Sequence, residues 1–330
     1  MKTPRRLLLT FAAAVPLTAL RAFAASPEAF PRRPITWVLP FPPGGFGDTV
    51  SRMLAQHMTA SLGVPVLVDN RPGAGGQIAA AYVKQMPADG HTLFNGDMGS
   101  FAMNAALYPK LSYDTLKDFA PLTRLVTSWL ALVVPQSSPF ETFDDLVKSA
   151  KASRPDTSIM YGSFGTGTLS HIWVELLQRE VGGRFHHVPY KGSAAALQDL
   201  MGSRTDMMLD LVANSMPYVQ AGKLRALAVM GGEKRLACLP DVPTFTELGY
   251  PSLNASGWSG VAVRAETPGD VINQLHGAVT QAIQAEDVRR RFGDLGIVPD
   301  PQSPLDFGRF IQVETARWGE VIRSAGVSLG

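Results

Sequence analysis

Apolar residues along the chain alternate between short continuous runs and helical stripes. The first run is Ile35-Thr36-Trp37-Val38-Leu39, which suits a buried strand. It breaks at Pro40-Phe41-Pro42-Pro43-Gly44-Gly45. Beyond Asp48, apolar Val50, Met53, Leu54 and Met58 follow a helical period. Strand, glycine turn and helix start aim backbone N–H groups and a helix N-terminus at one point, an arrangement suited to an anion. An ordinary βα turn with Asp48 as helix cap fits the same residues. A second strand over 64–69 leads into a glycine cluster, Asn70-Arg71-Pro72-Gly73-Ala74-Gly75-Gly76. That cluster lacks the Lys-Ser/Thr of a P-loop and the dinucleotide spacing, so it reads as a tight turn before a helix over 77–85. His91-Thr92-Leu93-Phe94 is a third strand, followed by a loop ending at Ser100.

The stretch 122–134 is a long apolar β-like run, after which Thr142 caps a helix, Phe143–Ala152. A second glycine-rich loop runs from Met160 to His171, through Gly162-Ser163-Phe164-Gly165-Thr166-Gly167-Thr168, into a helix with Ile172, Trp173, Leu176 and Leu177 inward. Then come His186-His187, a helix Ser193–Met201, a strand Met207–Leu211 carrying Asp210, and a strand Leu224–Met230. A strand over 258–263, Thr267-Pro268 and a helix repeat the plan seen near Thr142. The last helix is capped by Ser303, has Pro304 in its first turn, and turns Phe307, Phe310, Ile311, Trp318 and Val321 inward. Strands alternating with helices predict an α/β fold with functional loops at strand C-termini. The repeated plan predicts a middle domain inserted between two halves of the first.

Composition alters this picture at the N-terminus. Lys2, Arg5 and Arg6, an apolar stretch over 7–20, and Ala22-Phe23-Ala24 form a secretory signal peptide, residues 1–24. The general secretory route is favoured over a twin-arginine one. The chain has 30 Lys+Arg and 28 Asp+Glu; losing Lys2, Arg5, Arg6 and Arg21 leaves 26 against 28, a net charge of −2. Nucleic-acid binding thereby loses its electrostatic support. The one cysteine, Cys238, excludes an internal disulfide and cysteine metal clusters.

Catalytic signals are weak. His186 and His187 are adjacent, so in a strand they point to opposite faces. No HExxH motif occurs, and no metal or cofactor is expected. Ser163, His171 and Asp210 could form a hydrolase triad, but Tyr161 stands where a nucleophile elbow needs glycine. His171 is expected in the first helical turn as a hydrogen-bond donor or packing residue. Asp210 is expected as a buried carboxylate accepting backbone N–H bonds, and Trp258 as core.

Many motifs in one order resemble the Bug/TctC family, the extracytoplasmic solute-binding proteins of tripartite tricarboxylate transporters. They include Val38-Leu39-Pro40-Phe41 with Gly44-Gly45 and Asp48, Asn70 to Gly76, Asp89-Gly90-His91-Thr92-Leu93, Tyr161-Gly162-Ser163 ending at His171, His187-Val188-Pro189-Tyr190-Lys191-Gly192, and Leu239-Pro240-Asp241-Val242-Pro243-Thr244. The resemblance implies a two-lobed periplasmic binding protein, a type II-like Venus flytrap with two interdomain crossings. Lobe 1 would be 25–124 plus 248–330, and lobe 2 would be 125–247. It implies a small carboxylate held by two facing loops through amides, hydroxyls and waters. The residues concerned are Phe41, Pro42, Pro43, Gly44, Gly45, Phe46 and Asp48, with Ser100, and Ser163, Phe164, Gly165, Thr166, Thr168, His171 and Asp210. Asp48 would shape its loop as the helix cap, and Asp210 would orient water or bind an amine or hydroxyl. The chain departs from relatives in Pro42-Pro43, in aromatic Phe46, Phe164 and Trp129, and in Arg264-Ala265-Glu266. If Phe46 and Phe164 face the cleft, the distal half of the ligand is apolar or aromatic. The function expected is capture by a periplasmic monomer and delivery to membrane permease subunits. An exported serine hydrolase using Ser163 and His171, and a ligand-sensing subunit, are the alternatives.

Overall fold

The computed structural model describes residues 30–154, 157–231 and 234–329; the expected signal peptide lies outside them. The first elements are β1 (Ile35–Leu39), α1 (Phe46–Leu62), β2 (Val66–Asn70), α2 (Gln77–Lys84) and β3 (Thr92–Asp97). Short helices α3 (Asn104–Leu107) and α4 (Thr115–Asp118) lead to β4 (Phe119–Ser128). The middle of the chain forms β5 (Leu130–Pro135), α5 (Phe143–Ala152), β6 (Ile159–Ser163), α6 (Leu169–Val181), β7 (Phe185–Pro189), α7 (Ser193–Met201), β8 (Met207–Leu211), α8 (Val212–Gln220) and β9 (Leu224–Met230). The chain returns through β10 (Gly257–Arg264), α9 (Gly269–Gln284), α10 (Glu286–Asp294), β11 (Val298–Pro299) and α11 (Pro304–Ala325).

Two sheets result, one per lobe. The first has the order β11-β4-β10-β3-β1-β2 and the second β7-β6-β8-β5-β9. In the first, β1 runs parallel to β2 and β3, while β10 is antiparallel to β3 and β4. The apolar run over 122–134 is not one strand. It breaks at Trp129, which carries the chain from β4 in one sheet to β5 in the other. β4 thus stays in the first lobe to Ser128, past the crossing expected after 124. The second crossing follows Leu253, whose carbonyl accepts from Trp173 Nε1 of α6 at 2.7 Å. The return segment therefore packs on the second lobe until just before Gly257 pairs with Ser128.

The pleat sorts apolar side chains between layers. Ile35, Trp37 and Leu39 enter a core with Val50 and Leu54 of α1 and Val279 of α9, whereas Val38 points to the opposite side. That opposite cluster is common to both lobes: it joins Phe94, Trp258 and Phe307 to Leu130, Leu132 and Trp173. Helix α11 packs its apolar face there, with its Ser303 cap accepting from the Asp306 N–H at 3.1 Å. One carboxylate, Glu314, lies buried on that face. It accepts from Trp258 Nε1 at 3.1 Å and Trp318 Nε1 at 3.2 Å, which satisfies both indoles. Trp258 is thus a core residue, 3% exposed.

Packing of α11 on β10 leaves no room at Gly260, where a Cβ would lie 2.2 Å from Phe307 Cζ and 3.0 Å from the Thr123 carbonyl oxygen. Gly260→Ala is expected to destabilise the protein by about 1–3 kcal/mol through overpacking. A lowered denaturation midpoint at unchanged denaturant dependence would show it, and an unshifted midpoint would contradict this packing.

Candidate functional site

The loop after β1 is built around Asp48. Helix α1 begins at Phe46, and its N-cap Gly45 has extended backbone (φ −83°, ψ 176°) and no side-chain cap. Asp48 is the third helical residue, not the cap. Its Oδ2 accepts the N–H of Gly44 at 2.9 Å, and Gly44 takes φ +82° to offer it. Arg52 Nε donates to both carboxylate oxygens at 3.0 Å, and Asn70 Nδ2 to Oδ1 at 2.9 Å. The same Asn70 nitrogen reaches the Phe41 carbonyl at 3.0 Å. Burial pushes the Asp48 carboxyl up, but bonds from Arg52, Gly44 and Asn70 outweigh it and hold the group below the usual carboxylate range. Phe41 lies flat on Gly47, where a Cβ would sit 2.6 Å from its ring, so it packs the loop.

The loop after β6 repeats this device with other chemistry. Thr168 is the N-cap of α6, extended at φ −78° and ψ 164°, and it gives no side-chain cap. The third helical residue, His171, accepts the Gly167 N–H at its Nδ1 at 3.1 Å, and Gly167 takes φ +78°. His171 is expected as a donor or a packing residue; in this bond it accepts, and its ring packs against His187. Its proton sits on Nε2, 3.9 Å from Glu175 Oε1. Thr168 Oγ1 donates to the Gly165 carbonyl at 2.6 Å, and Thr166 is exposed. Ser163 is fully buried; its Oγ accepts the Gly165 N–H at 3.2 Å and lies 2.6 Å from His187 Nε2. The His187 ring stacks on His171 at 4.0 Å and on Tyr161 at 4.9 Å. Burial, with His171 and His186 nearby, drives its pKa down to about 4, so it is neutral at neutral pH. The serine–histidine pairing of the hydrolase alternative does not form: Ser163 meets His187, while the Asp210 carboxyl meets Ser193 and Asn214.

A cavity of about 220 Å³ opens between the lobes. Gly44, Gly45, Phe46, Thr49 and Val50 form its first wall. Across from them stand Ser193, Ala194 and Leu197 of α7 and Ala213, Asn214 and Tyr218 of α8. Arg291, Leu295 and Ile297 complete the lining. The N-termini of α1 and α7 therefore meet at one space, and neither carries a side-chain cap. Their contact is close: a Cβ on Gly192 would be 2.7 Å from Pro42 Cγ.

Of the residues predicted for the site, Gly44, Gly45 and Phe46 line this cavity. Pro42 abuts the opposite lobe, Pro43 is exposed, and Asp210 lies behind Ser193 and Asn214. Ser100 turns inward, its hydroxyl 2.8 Å and its amide 2.9 Å from the Asp97 carboxylate. Phe164 is half-buried against two apolar clusters. The wall facing Gly44–Phe46 is thus α7 and α8, while Gly167 faces Tyr108: a Cβ there would be 2.9 Å from the phenol oxygen. Ser193 and Asn214 are absent from the residues predicted from sequence. Gly192 before Ser193 was the available signal, a third glycine at a helix start. Nothing in the pattern marks Arg291, Leu295 or Ile297. A larger open groove, about 470 Å³ around Gln178 and Gly182, lies on the outer edge of the second sheet, away from both loops.

Asp48→Ala leaves the Gly44 amide without its acceptor and Asn70 Nδ2 with only the Phe41 carbonyl, and should cost about 1–3 kcal/mol at pH 7. Because the folded pKa is depressed, this contribution is complete above the ordinary value of 3.8 and is lost as pH falls through the folded value. Denaturant unfolding at pH 7 and pH 3 should show the gap between wild type and variant closing in acid; an equal gap at both would contradict the pairing. Gly167→Ala adds a Cβ at positive φ, 2.9 Å from the Tyr108 hydroxyl and from Leu329 Cδ1. It should hold the lobes apart, seen as a larger radius of gyration in X-ray scattering. An unchanged radius would show that this seam does not set closure.

Residues 50–327 match the model of the tripartite tricarboxylate transporter family receptor, TctC. The chain is 34% identical over 313 residues to BugT of Bordetella pertussis, covering 94% of this chain and 95% of that one. R. palustris Rpa4515, solved with adipate, superposes at a TM-score of 0.85 with 33% identity, covering 91% of this chain and all of its own. MatC of Rhodopseudomonas palustris, solved with bound malate, superposes at 0.83 with 33% identity, covering 89% and 100%. The two lobes are those of a periplasmic binding protein, and the chain belongs to the tripartite tricarboxylate transporter receptor family, whose members are solute-binding receptors and not enzymes.

Proposed function

We propose that this periplasmic solute-binding protein captures a small carboxylate between its lobes and delivers it to the permease subunits of a tripartite tricarboxylate transporter. One observation carries the reading: two uncapped helix N-termini, those of α1 and α7, converge on a single inter-lobe cavity. Each end presents N–H groups without intrahelical acceptors and the positive pole of its helix. A carboxylate between them is stabilised by both, with bridging waters at small cost. Arg291 is the one charged residue on the lining, and no acid stands there. Phe46, Val50, Leu197, Leu295 and Ile297 make the remainder apolar. The ligand is accordingly an acid with an apolar carbon body. The adipate and malate held by the two similar structures are acids of comparable size. Capture proceeds by lobe closure about the two crossings, in a monomer exported through cleavage of residues 1–24.

Gly45 supplies the test. Its backbone is extended, a conformation open to any residue, and the nearest atom to an added Cβ is the Pro42 carbonyl oxygen at 3.8 Å. Gly45→Val should leave the melting transition in place while its methyls fill the cavity, weakening carboxylate binding about 100-fold. Calorimetry with adipate, malate and benzoate would read this. Unchanged affinity for an acid that binds the wild type would overturn the site.

A further inference from the structure

Behind the polar wall of the cavity stands a carboxylic acid with an unusual set of partners. Asp210, the penultimate residue of β8, is fully buried. Its Oδ1 accepts from Ser193 Oγ and lies 3.4 Å from Asn214 Nδ2. Its Oδ2 is also buried, and among the described residues it has no hydrogen-bond partner. Ser193 and Asn214 both face the cavity, so Asp210 is one hydrogen bond removed from whatever binds there.

Among the described residues, no cation pairs with this carboxyl. Among the elements packed on β8, β5 brings no ionisable side chain. β6 brings Tyr161, whose hydroxyl bonds to Glu175. α6 carries His171, Glu175, Arg179 and Glu180; His171 is engaged with Gly167, and Arg179 reaches the Ser324 carbonyl. α7 carries Asp199, held by Tyr190 and Arg204, and α8 carries Tyr218. Arg291 stands on the far side of the cavity and forms no ion pair with Asp210 among the described residues. An ionised Asp210 would leave a charged oxygen buried without a donor, which is costly. Burial accordingly pushes this acid up to about 7, against the pull of Ser193, Asn214 and the Leu211 backbone N–H.

We propose that the Asp210–Ser193 pair is a proton-set switch of the cavity wall. With Asp210 protonated on Oδ1, its O–H donates to Ser193 Oγ, and the serine hydroxyl turns outward as a donor to a ligand carboxylate. With Asp210 ionised, Ser193 donates inward and offers the cavity only lone pairs. The proton balance is simple: capture of a carboxylate draws one proton from solvent onto Asp210, and release returns it. A carboxylate then selects the protonated state, and a ligand presenting an ammonium or hydroxyl donor selects the ionised one. Asp210 is thus a positioning residue that sets anion preference through Ser193. This rests on the carboxylate-capture reading of the same cavity.

The test has two arms. In the first, carbon-13 NMR follows the aspartate carboxyls of ligand-free protein, with Asp210 assigned by comparison with Asp210→Asn. A titration near pH 7 is expected; a titration near 4 would overturn the switch whatever the ligand. In the second, calorimetry with adipate, malate and benzoate runs from pH 5.5 to 8.5 in buffers of different ionisation enthalpy. Wild type should take up to one proton per acid bound and lose about tenfold in affinity per pH unit above 7. The amide of Asp210→Asn is a permanent donor to Ser193. That variant should bind at pH 8.5 as tightly as wild type does at pH 5.5, without proton uptake. Ser193→Ala should lose the pH dependence and the low-pH affinity together. Wild-type binding independent of pH, or pH dependence kept in Asp210→Asn, would overturn the switch. Failure of all three acids to bind would instead overturn the carboxylate reading and leave the NMR titration to decide the switch.

Discussion

The loops after β1 and β6 rest on one interaction: a side chain at the third helical position reaches back to the amide four residues earlier. In the first lobe Asp48 takes the N–H of Gly44; in the second His171 takes that of Gly167. The glycines adopt nearly the same φ, and the caps Gly45 and Thr168 nearly the same extended backbone. The bond consumes one loop amide. It also removes the need for a capping side chain, which would block the helix end. Other helices do carry side-chain caps: Thr142 caps α5 in a reciprocal box with Asp145, and Ser303 caps α11.

The two reaching side chains differ in charge, and the difference follows from their surroundings. Asp48 is held ionised by Arg52 and by amide donors from Gly44 and Asn70. Its negative charge also lies at the positive end of α1, where it is favoured. His171 has no such cation, and its pKa is lowered by burial, with His187 stacked on it. A neutral imidazole accepts the Gly167 amide without placing charge near the second loop. Among the described residues, the charged side chain on the cavity lining is then Arg291.

Much of this was legible in the residues. Strand and helix periods located most elements, and two of the three glycine-to-helix loops stood out. What was hidden has physical causes. The 122–134 run looks like one strand because side chains buried in either sheet are equally apolar; the break at Trp129 is a change of partner, not of pattern. An acid early in a helix suits both the cap and the third position, so the role of Asp48 depends on where the Gly44 amide points. Ser163 meets His187 rather than His171 because parallel pairing of β6 with β7 brings Tyr161 beside His187. Leu295 and Ile297 reach the cavity only because the chain returns to the first lobe after building the second.

The lobes meet at positions without side chains. Gly192 receives Pro42, Gly167 receives Tyr108 and Leu329, and Gly296 lies against Cys238 and Val212, with an added Cβ falling 2.7 Å, 2.9 Å and 3.4 Å from the nearest of these atoms. Each contact joins one lobe to the other, a glycine backbone on one side meeting a side chain on the other. A side chain added at Gly192 or Gly167 would have to push a side chain of the opposite lobe aside. The Gly192–Pro42 contact sits immediately before α7 and α1 and so holds their N-termini near one another at the cavity. Dispersed along the chain, these glycines act together in letting the two lobes meet closely.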